Sequence, residues 1–256
     1  MRRIKLIVSY DGTEYNGWQV QPGVPTIQGV LEAAFLDIKK NTVHVAGSGR
    51  TDAGVHALAQ VAAVSIENPI PPPNLKKALN RLLPEDIRIV AVEEVDADFH
   101  PRFDATAKTY EYRLYRGEVC PPFERRYVHH HPYRMDEDRL MMAAREMEGE
   151  YDFSCFAASD DRDKEGRSKV RRIFASTAFR EQEQLVYRVT GSGFLKHMVR
   201  NIVGTLLEAG KGNLDTARLR WLLTGPAGIK AGPTAPACGL FLVGVEYEKQ
   251  ACDSGM

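Results

Sequence analysis

Gly47-Ser48-Gly49-Arg50-Thr51-Asp52-Ala53-Gly54-Val55-His56-Ala57 is the stretch around which the chain is organised. Glycines this closely spaced mark a backbone that must turn sharply or approach something closely. Between them stand an arginine, a threonine and one carboxylate. The run follows the β-branched stretch Thr42-Val43-His44-Val45 and precedes Val61-Ala62-Ala63-Val64. The pattern predicts two strands, the second from Gln60 to Ile66, joined by a loop that mounts reactive side chains on a rigid base. A plain hairpin would use Asp-Ala-Gly as turn chemistry alone, so the flanking sequence has to decide.

Upstream, Ile4, Leu6, Val8 and Tyr10 alternate with more polar neighbours, a period-2 strand signal. Tyr10-Asp11-Gly12-Thr13 turns, and Tyr15-Asn16-Gly17-Trp18-Gln19 reads as a loop packed by Trp18. Thr26 is placed to cap a first helix in which Ile27, Val30, Leu31, Ala34 and Ile38 form one apolar face. Downstream, Pro69 to Asn74 is a stiff connector. Asn74 is expected to cap a second helix, Leu75 to Leu83, with a basic face of Lys76, Lys77 and Arg81. Ile87 to Val95 reads as a strand. Residues 1–100 therefore run β-α-β-β-α-β, the ferredoxin-like pattern.

The second half repeats this order with longer loops. Tyr110, Tyr112 and Leu114 share one face of a strand that ends the run Ala105 to Leu114. Asp136 caps a helix expected to reach Glu148. Arg172 to Phe179 and Leu185 to Thr190 pair across a turn at 181–184. Gly191-Ser192-Gly193 echoes Gly47-Ser48-Gly49 but leads into a helix striped by Leu195, Met198, Val199, Ile202, Val203, Leu206 and Leu207, with Lys196, His197, Arg200 and Asn201 off the stripe. A short helix from Asp215 to Leu223, a Gly/Pro/Ala connector from Pro226 to Pro236, and a strand from Gly239 to Tyr247 complete it. The expected fold class is α+β: two ferredoxin-like (RRM-like) halves, 1–105 and 106–248, forming a mixed, mainly antiparallel sheet flanked by helices with a central cleft. Residues 249–256 read as a tail.

Composition bounds the function. The 256 residues are 43% hydrophobic and 27% charged, with 34 Lys+Arg against 34 Asp+Glu. Zero formal charge argues against a polyanion binder driven by a basic tail, but not against a local basic stripe. No apolar run approaches the ~18 residues of a membrane span. The basic, then apolar, N-terminus is too short and too alternating for a signal peptide, so a cytoplasmic protein is expected. Cys120, Cys155, Cys238 and Cys252 have no metal-ligand spacing. His129-His130-His131 invites a metal, yet adjacent histidines cannot share a face, and none is expected. The basic residues between Ser159 and Arg172 are candidates for phosphate contact.

The unbroken run Gly49 to His56 resembles the G-R-T-D-A-G-V-H signature of the tRNA pseudouridine synthase A (TruA) family. Tyr10, Asp11, Gly12, Tyr15, Gly17, Trp18 and Gln19 match its Y-D-G-x-x-Y-x-G-W-Q block. Phe99-His100-Pro101-Arg102-Phe103, Asp152-Phe153 and Lys196-His197-Met198-Val199-Arg200-Asn201 resemble further blocks in family order. The resemblance implies an isomerase that converts uridine to pseudouridine at positions 38, 39 and 40 of the tRNA anticodon stem-loop. It implies a homodimer and no cofactor. It makes Asp52 the catalytic carboxylate and lays Tyr110 over it.

Pseudouridylation breaks the N1–C1′ bond, rotates the uracil and rejoins it through C5. An ionised aspartate can attack C1′ or C6, or remove a ribose proton. Kept charged in a dry cleft, it needs a cation beside it. Arg200 and Arg50 are the candidates. Arg200 is assigned to the ion pair and Arg50 to the RNA backbone or the flipped nucleotide, and the two roles are open to exchange. Tyr110 would stack on the flipped uracil, its hydroxyl mediating removal of the C5 proton in the last step, and Leu240, which resembles a family position, would pack against the base. The competing readings are a non-catalytic RRM-like RNA-binding protein, which needs sheet aromatics but no carboxylate, and a synthase for another RNA.

Overall fold

The computed structural model describes residues 1–39, 41–159, 166, 168–226 and 228–248. Ten strands form one mixed sheet. In chain order the elements are β1 (Arg2–Tyr10), α1 (Ile27–Lys39), β2 (Ala46–Gly47), β3 (His56–Ile66), α2 (Pro72–Leu82) and β4 (Ile87–Val95), followed by β5 (Ala105–Tyr115), β6 (His129–His130), α3 (Glu137–Arg145), β7 (Gly149–Asp152), β8 (Val170–Glu181), β9 (Gln184–Gly191), α4 (Met198–Gly210), α5 (Thr216–Leu222) and β10 (Leu240–Tyr247).

The sheet order is β4-β1-β3-β10-β5-β9-β8-β7, with β2 on β3 and β6 on β5. The first half reads β4-β1-β3-β2. The second reads β10-β5-β9-β8, with β7 added outside β8. Ladders within each half are antiparallel except β5–β6. The halves join where β10 runs parallel to β3, through Phe241 opposite His56 and Leu242 opposite Ala57. That seam sits at the C-terminal end of the Gly47–Val55 loop, so the loop faces the second half.

The alternation in β1 does what it predicts: Ile4, Leu6, Val8 and Tyr10 are buried and their neighbours are not. They share one hydrophobic cluster with Leu31 and Phe35 of α1, Leu75 and Leu79 of α2, Tyr112 of β5, Leu140 of α3 and Ile202 of α4. Asp136 and Asp215 cap α3 and α5, accepting from Arg139 N–H and Arg218 N–H. Among the described residues no helix is long and apolar enough to cross a membrane.

Several expectations are corrected. Thr42 to Val45 joins no ladder; β2 is only Ala46–Gly47. Side chains of α1 take over the backbone there: Glu32 Oε1 accepts Val45 N–H and Gln28 Nε2 donates to Val45 O. The helix α2 starts at Pro72, with Pro71 as its cap rather than Asn74. Proline suits a first turn because its missing N–H would be unpaired anyway. Leu82, the last residue of α2, is exposed. The helix α3 ends at Arg145, because Met147 and Glu148 N–H close tight turns onto Ala144 and Arg145 O. Gly149 to Asp152 then pairs with β8. Leu195 precedes α4, which starts after a left-handed His197. Asn201 lies inside, donating to Phe156 O. The tail 249–256 lies outside the described residues.

Candidate active site

Small residues and buried polar pairs set the Gly47–Val55 loop. Trp18 covers Gly47 so closely that a Cβ there would sit 2.5 Å from the indole nitrogen. Ser48 is fully buried; its N–H donates to Val61 O (2.7 Å) and its hydroxyl to Gln60 Oε1 (2.6 Å). Gln60 Nε2 returns a bond to Gly49 O (3.0 Å). Thr51 O accepts Trp18 N–H, and its hydroxyl pairs with Tyr10 at 2.8 Å. Gly17 and Gly54 stand at φ 87° and 75°, the left-handed region glycine tolerates. A Cβ on Gly17 would lie 2.5 Å from Thr51 O. The Tyr10–Gln19 block and the Gly-Arg-Thr-Asp loop are thus one braided unit. His56 closes it. Its Nδ1 accepts Gly12 N–H (3.1 Å), its ring stacks on Phe241, and burial holds its pKa below the usual value.

Asp52 leaves this unit and meets the second half. Arg200 Nη1 donates to Asp52 Oδ2 at 3.1 Å. The guanidinium is held from behind, because its Nε donates to Ala235 O (2.7 Å) while Ala235 N–H donates to Arg200 O (3.1 Å). The 231–236 connector lies flat on α4 where Gly204 leaves room: a Cβ there would sit 1.7 Å from Pro233 O. His197 Nε2 stands 3.6 Å from the same Asp52 Oδ2.

Tyr110 is buried on β5, with its ring edge-on to Phe194 at 5.1 Å between centroids. Burial, with the fields of Tyr10 and Asp52, pushes its hydroxyl above the ordinary tyrosine value. Leu240 opens β10 opposite Tyr112 and is buried. Arg50 is exposed and makes no ion pair among the described residues. All five expected residues line one cleft of about 1300 Å³. Its charged lining among the described residues is Arg50, Arg102, Lys108, Arg171, Lys196 and Arg200 against Asp52. Local positive charge thus gathers here on a chain of zero net charge.

Lys108 and His197 are site residues that the sequence alone does not single out. The ammonium of Lys108 donates to Ser48 O, tying β5 to the first half. Burial, then the charge of Arg102, lowers its pKa to about 8. A signal for it exists: two residues before Tyr110 on a strand means the same face. His197 stands inside a family block, but the helix pattern there points to Arg200. Of the basic 159–172 segment, Arg171 lines the cleft, and Arg162, Lys164 and Arg167 lie outside the described residues. His129 and His130 pair with β5, and among the described residues His129 Nδ1 is buried without a hydrogen-bond partner. Among the described residues no His/Cys/Asp/Glu group is arranged to hold a metal, and Cys120, Cys155 and Cys238 are free thiols.

A family model described as tRNA pseudouridine synthase matches residues 6–104 and 143–248. A tRNA pseudouridine synthase A of Solibacter usitatus is 66% identical over 247 residues, covering 96% of this chain and all of the relative. Enzymes of the same name from Pelobacter propionicus and Limosilactobacillus fermentum are each 43% identical, over 96% and 98% of this chain and 100% and 98% of their own lengths. An archaeal box H/ACA sRNP Nop10-Cbf5 complex covers 80% of this chain and 43% of its own at 12% identity and a TM-score of 0.33, a likeness too slight to carry an inference.

Proposed function

Because the chain belongs to the tRNA pseudouridine synthase family, we propose that it isomerises uridine to pseudouridine at positions 38, 39 and 40 of the tRNA anticodon arm. The observation that carries this reading is the ion pair of Asp52 with Arg200, drawn from opposite halves into a cleft whose other charged lining residues, among those described, are cations. Cations beside a carboxylate offset the cost of taking its charge out of water. The surrounding Lys and Arg attract phosphates.

In this reading Asp52 is the group that attacks the nucleoside or takes its proton. The reaction moves C1′ from N1 to C5; C5 loses a proton and N1 gains one, so atoms balance without a cofactor. Flipping the base out costs a few kcal/mol, and stacking on Tyr110 offsets ~1–3 kcal/mol of it. Tyr110, its hydroxyl pKa raised by burial, is read as the stacking platform and as the group whose hydroxyl mediates loss of the C5 proton in the last step. Leu240 packs against the base. Arg200 holds Asp52, which leaves Arg50, exposed at the lip, for the RNA backbone. The two halves are read as ferredoxin-like units, the protein as a cytoplasmic homodimer, and one tRNA as spanning both chains.

The test uses tRNA tritiated at C5 of uridines 38–40. Wild type releases tritium, and Asp52→Asn retains binding by gel shift while release falls by at least about 10³-fold, the scale of losing a positioned nucleophile or base. Binding without release by the wild type would overturn the reading.

A further inference from the structure

His197 is built in an unusual way. It adopts φ 59°, ψ 2° immediately before the first turn of α4. Glycine or asparagine holds a left-handed position more easily than a ring-bearing residue. The backbone on either side is independently secured: Lys196 O accepts Ala158 N–H and His197 O accepts Asn201 N–H. Burial does not explain the imidazole either, since its side chain is 30% exposed in the cleft. What the left-handed turn does achieve is to aim Nε2 at Asp52.

The Asp52 carboxylate has two oxygens with different surroundings. Oδ2 faces Arg200 Nη1 at 3.1 Å and His197 Nε2 at 3.6 Å. Among the described residues Oδ1 accepts no hydrogen bond. The charged groups acting on His197 are Asp52 from the loop and Lys196 and Arg200 from its own segment. Burial first, then the two cations against Asp52, lower the imidazole pKa and favour a neutral ring. A neutral ring carrying its proton on Nε2 donates to the carboxylate without adding a second positive charge. The 3.6 Å approach is longer than a hydrogen bond, and catalytic contacts of this kind tighten when the site is filled.

We propose that His197 is a positioning residue: together with Arg200 it gathers Asp52 Oδ2, fixing the carboxylate so that Oδ1 is the oxygen presented to the uridine. This rests on the synthase reading above and goes further by naming which oxygen works and what aims it. Arg200 alone contributes one donor to Oδ2; a second group at the same oxygen narrows where that oxygen can sit and so where Oδ1 points.

The experiment compares steady-state tritium release, tRNA binding and thermal stability for wild type, His197→Gly, His197→Asn and His197→Gln. Gly and Asn both suit the left-handed turn; Gly has no side-chain donor, and the Asn amide is too short to bring its nitrogen to where Nε2 stands. Both are expected to keep Tm and tRNA affinity while kcat falls about 10- to 100-fold, the scale of a mispositioned reacting group. Gln, whose amide nitrogen reaches about as far as Nε2, is expected to regain most of the loss. Full kcat in either His197→Gly or His197→Asn, or a Gln variant as slow as both, overturns the proposal while leaving the synthase reading intact. Absence of release by the wild type would instead strike the reading itself.

Discussion

Gly47-Ser48-Gly49 and Gly191-Ser192-Gly193 are the same tripeptide, one in each half, bordering one cleft. Their surroundings are opposite. In the first, Trp18 occupies the space a Cβ of Gly47 would need, Ser48 is fully buried, and Lys108 reaches from the other half to its carbonyl. In the second, Ser192 N–H donates to Arg172 O at 3.0 Å, but its side chain is exposed and makes only long 3.4 Å contacts with Arg172 N–H and O, and a Cβ on Gly193 would find nothing within 4 Å. One loop is a clamped mount for Asp52. The other is an open lead-in that carries Phe194 to Tyr110 and then His197 and Arg200 to Asp52. Identical residues therefore do different work according to what packs on them: Gly47 is required by the indole that covers it and Gly191 by Arg172 O, 2.9 Å from where its Cβ would sit, whereas Gly193 stands in open space.

The contrast breaks most readily at the glycines. Gly47→Ala forces a methyl against an indole that is itself buried, and overpacking of that kind is expected to cost on the order of 3 kcal/mol. Gly193→Ala, with open space around it, is expected to stay within about 0.5 kcal/mol. Urea midpoints for the two variants decide it, and equal shifts would end the distinction.

Lys108 sharpens the comparison through pH. Its folded pKa, about 8, lies below its unfolded value, so the folded state carries the cost of a buried cation in full below pH 8. As pH rises from 8 toward 10.5 the folded state sheds its proton first, and stability rises. Relative to Lys108→Met, the wild type is expected to gain on the order of 2 kcal/mol between about pH 8 and about pH 10. Parallel denaturation curves at the two pH values would show that the clamp on Ser48 is not titrating.

The serines give the smallest effects. Ser48→Ala removes the donor to Gln60 Oε1 inside the core, and a loss of about 1–2 kcal/mol is expected from that unpaired acceptor. Ser192→Ala is expected to change stability by less than about 0.5 kcal/mol. Thermal unfolding of both variants at one pH is the check; a larger loss at Ser192 would reverse the assignment of clamped and open loops.

Where local rules govern, the chain was legible. Strands β1, β4 and β10 appeared at or near their observed limits because alternation is a property of consecutive residues. The caps at Asp136 and Asp215 were legible because a cap needs only the next three residues. The strand expected at Thr42 to Val45 failed because Gln28 and Glu32, well upstream on α1, compete for its backbone. His197 was missed because nothing in its sequence neighbourhood reveals a left-handed turn beside a carboxylate.

By itself, the sequence determined the α+β order of elements, the glycine-rich loop that carries Asp52, and the family whose motifs surround it. Only the tertiary structure decided that Asp52 and Arg200, 148 residues apart, share a hydrogen bond, that Lys108 ties the second half to the first, and that His197 joins them. The physical reason is range. Periodicity, caps and turn residues act over a few bonds of backbone. The meeting of side chains from two halves depends on strand register across the β3–β10 seam and on which groups can be buried together.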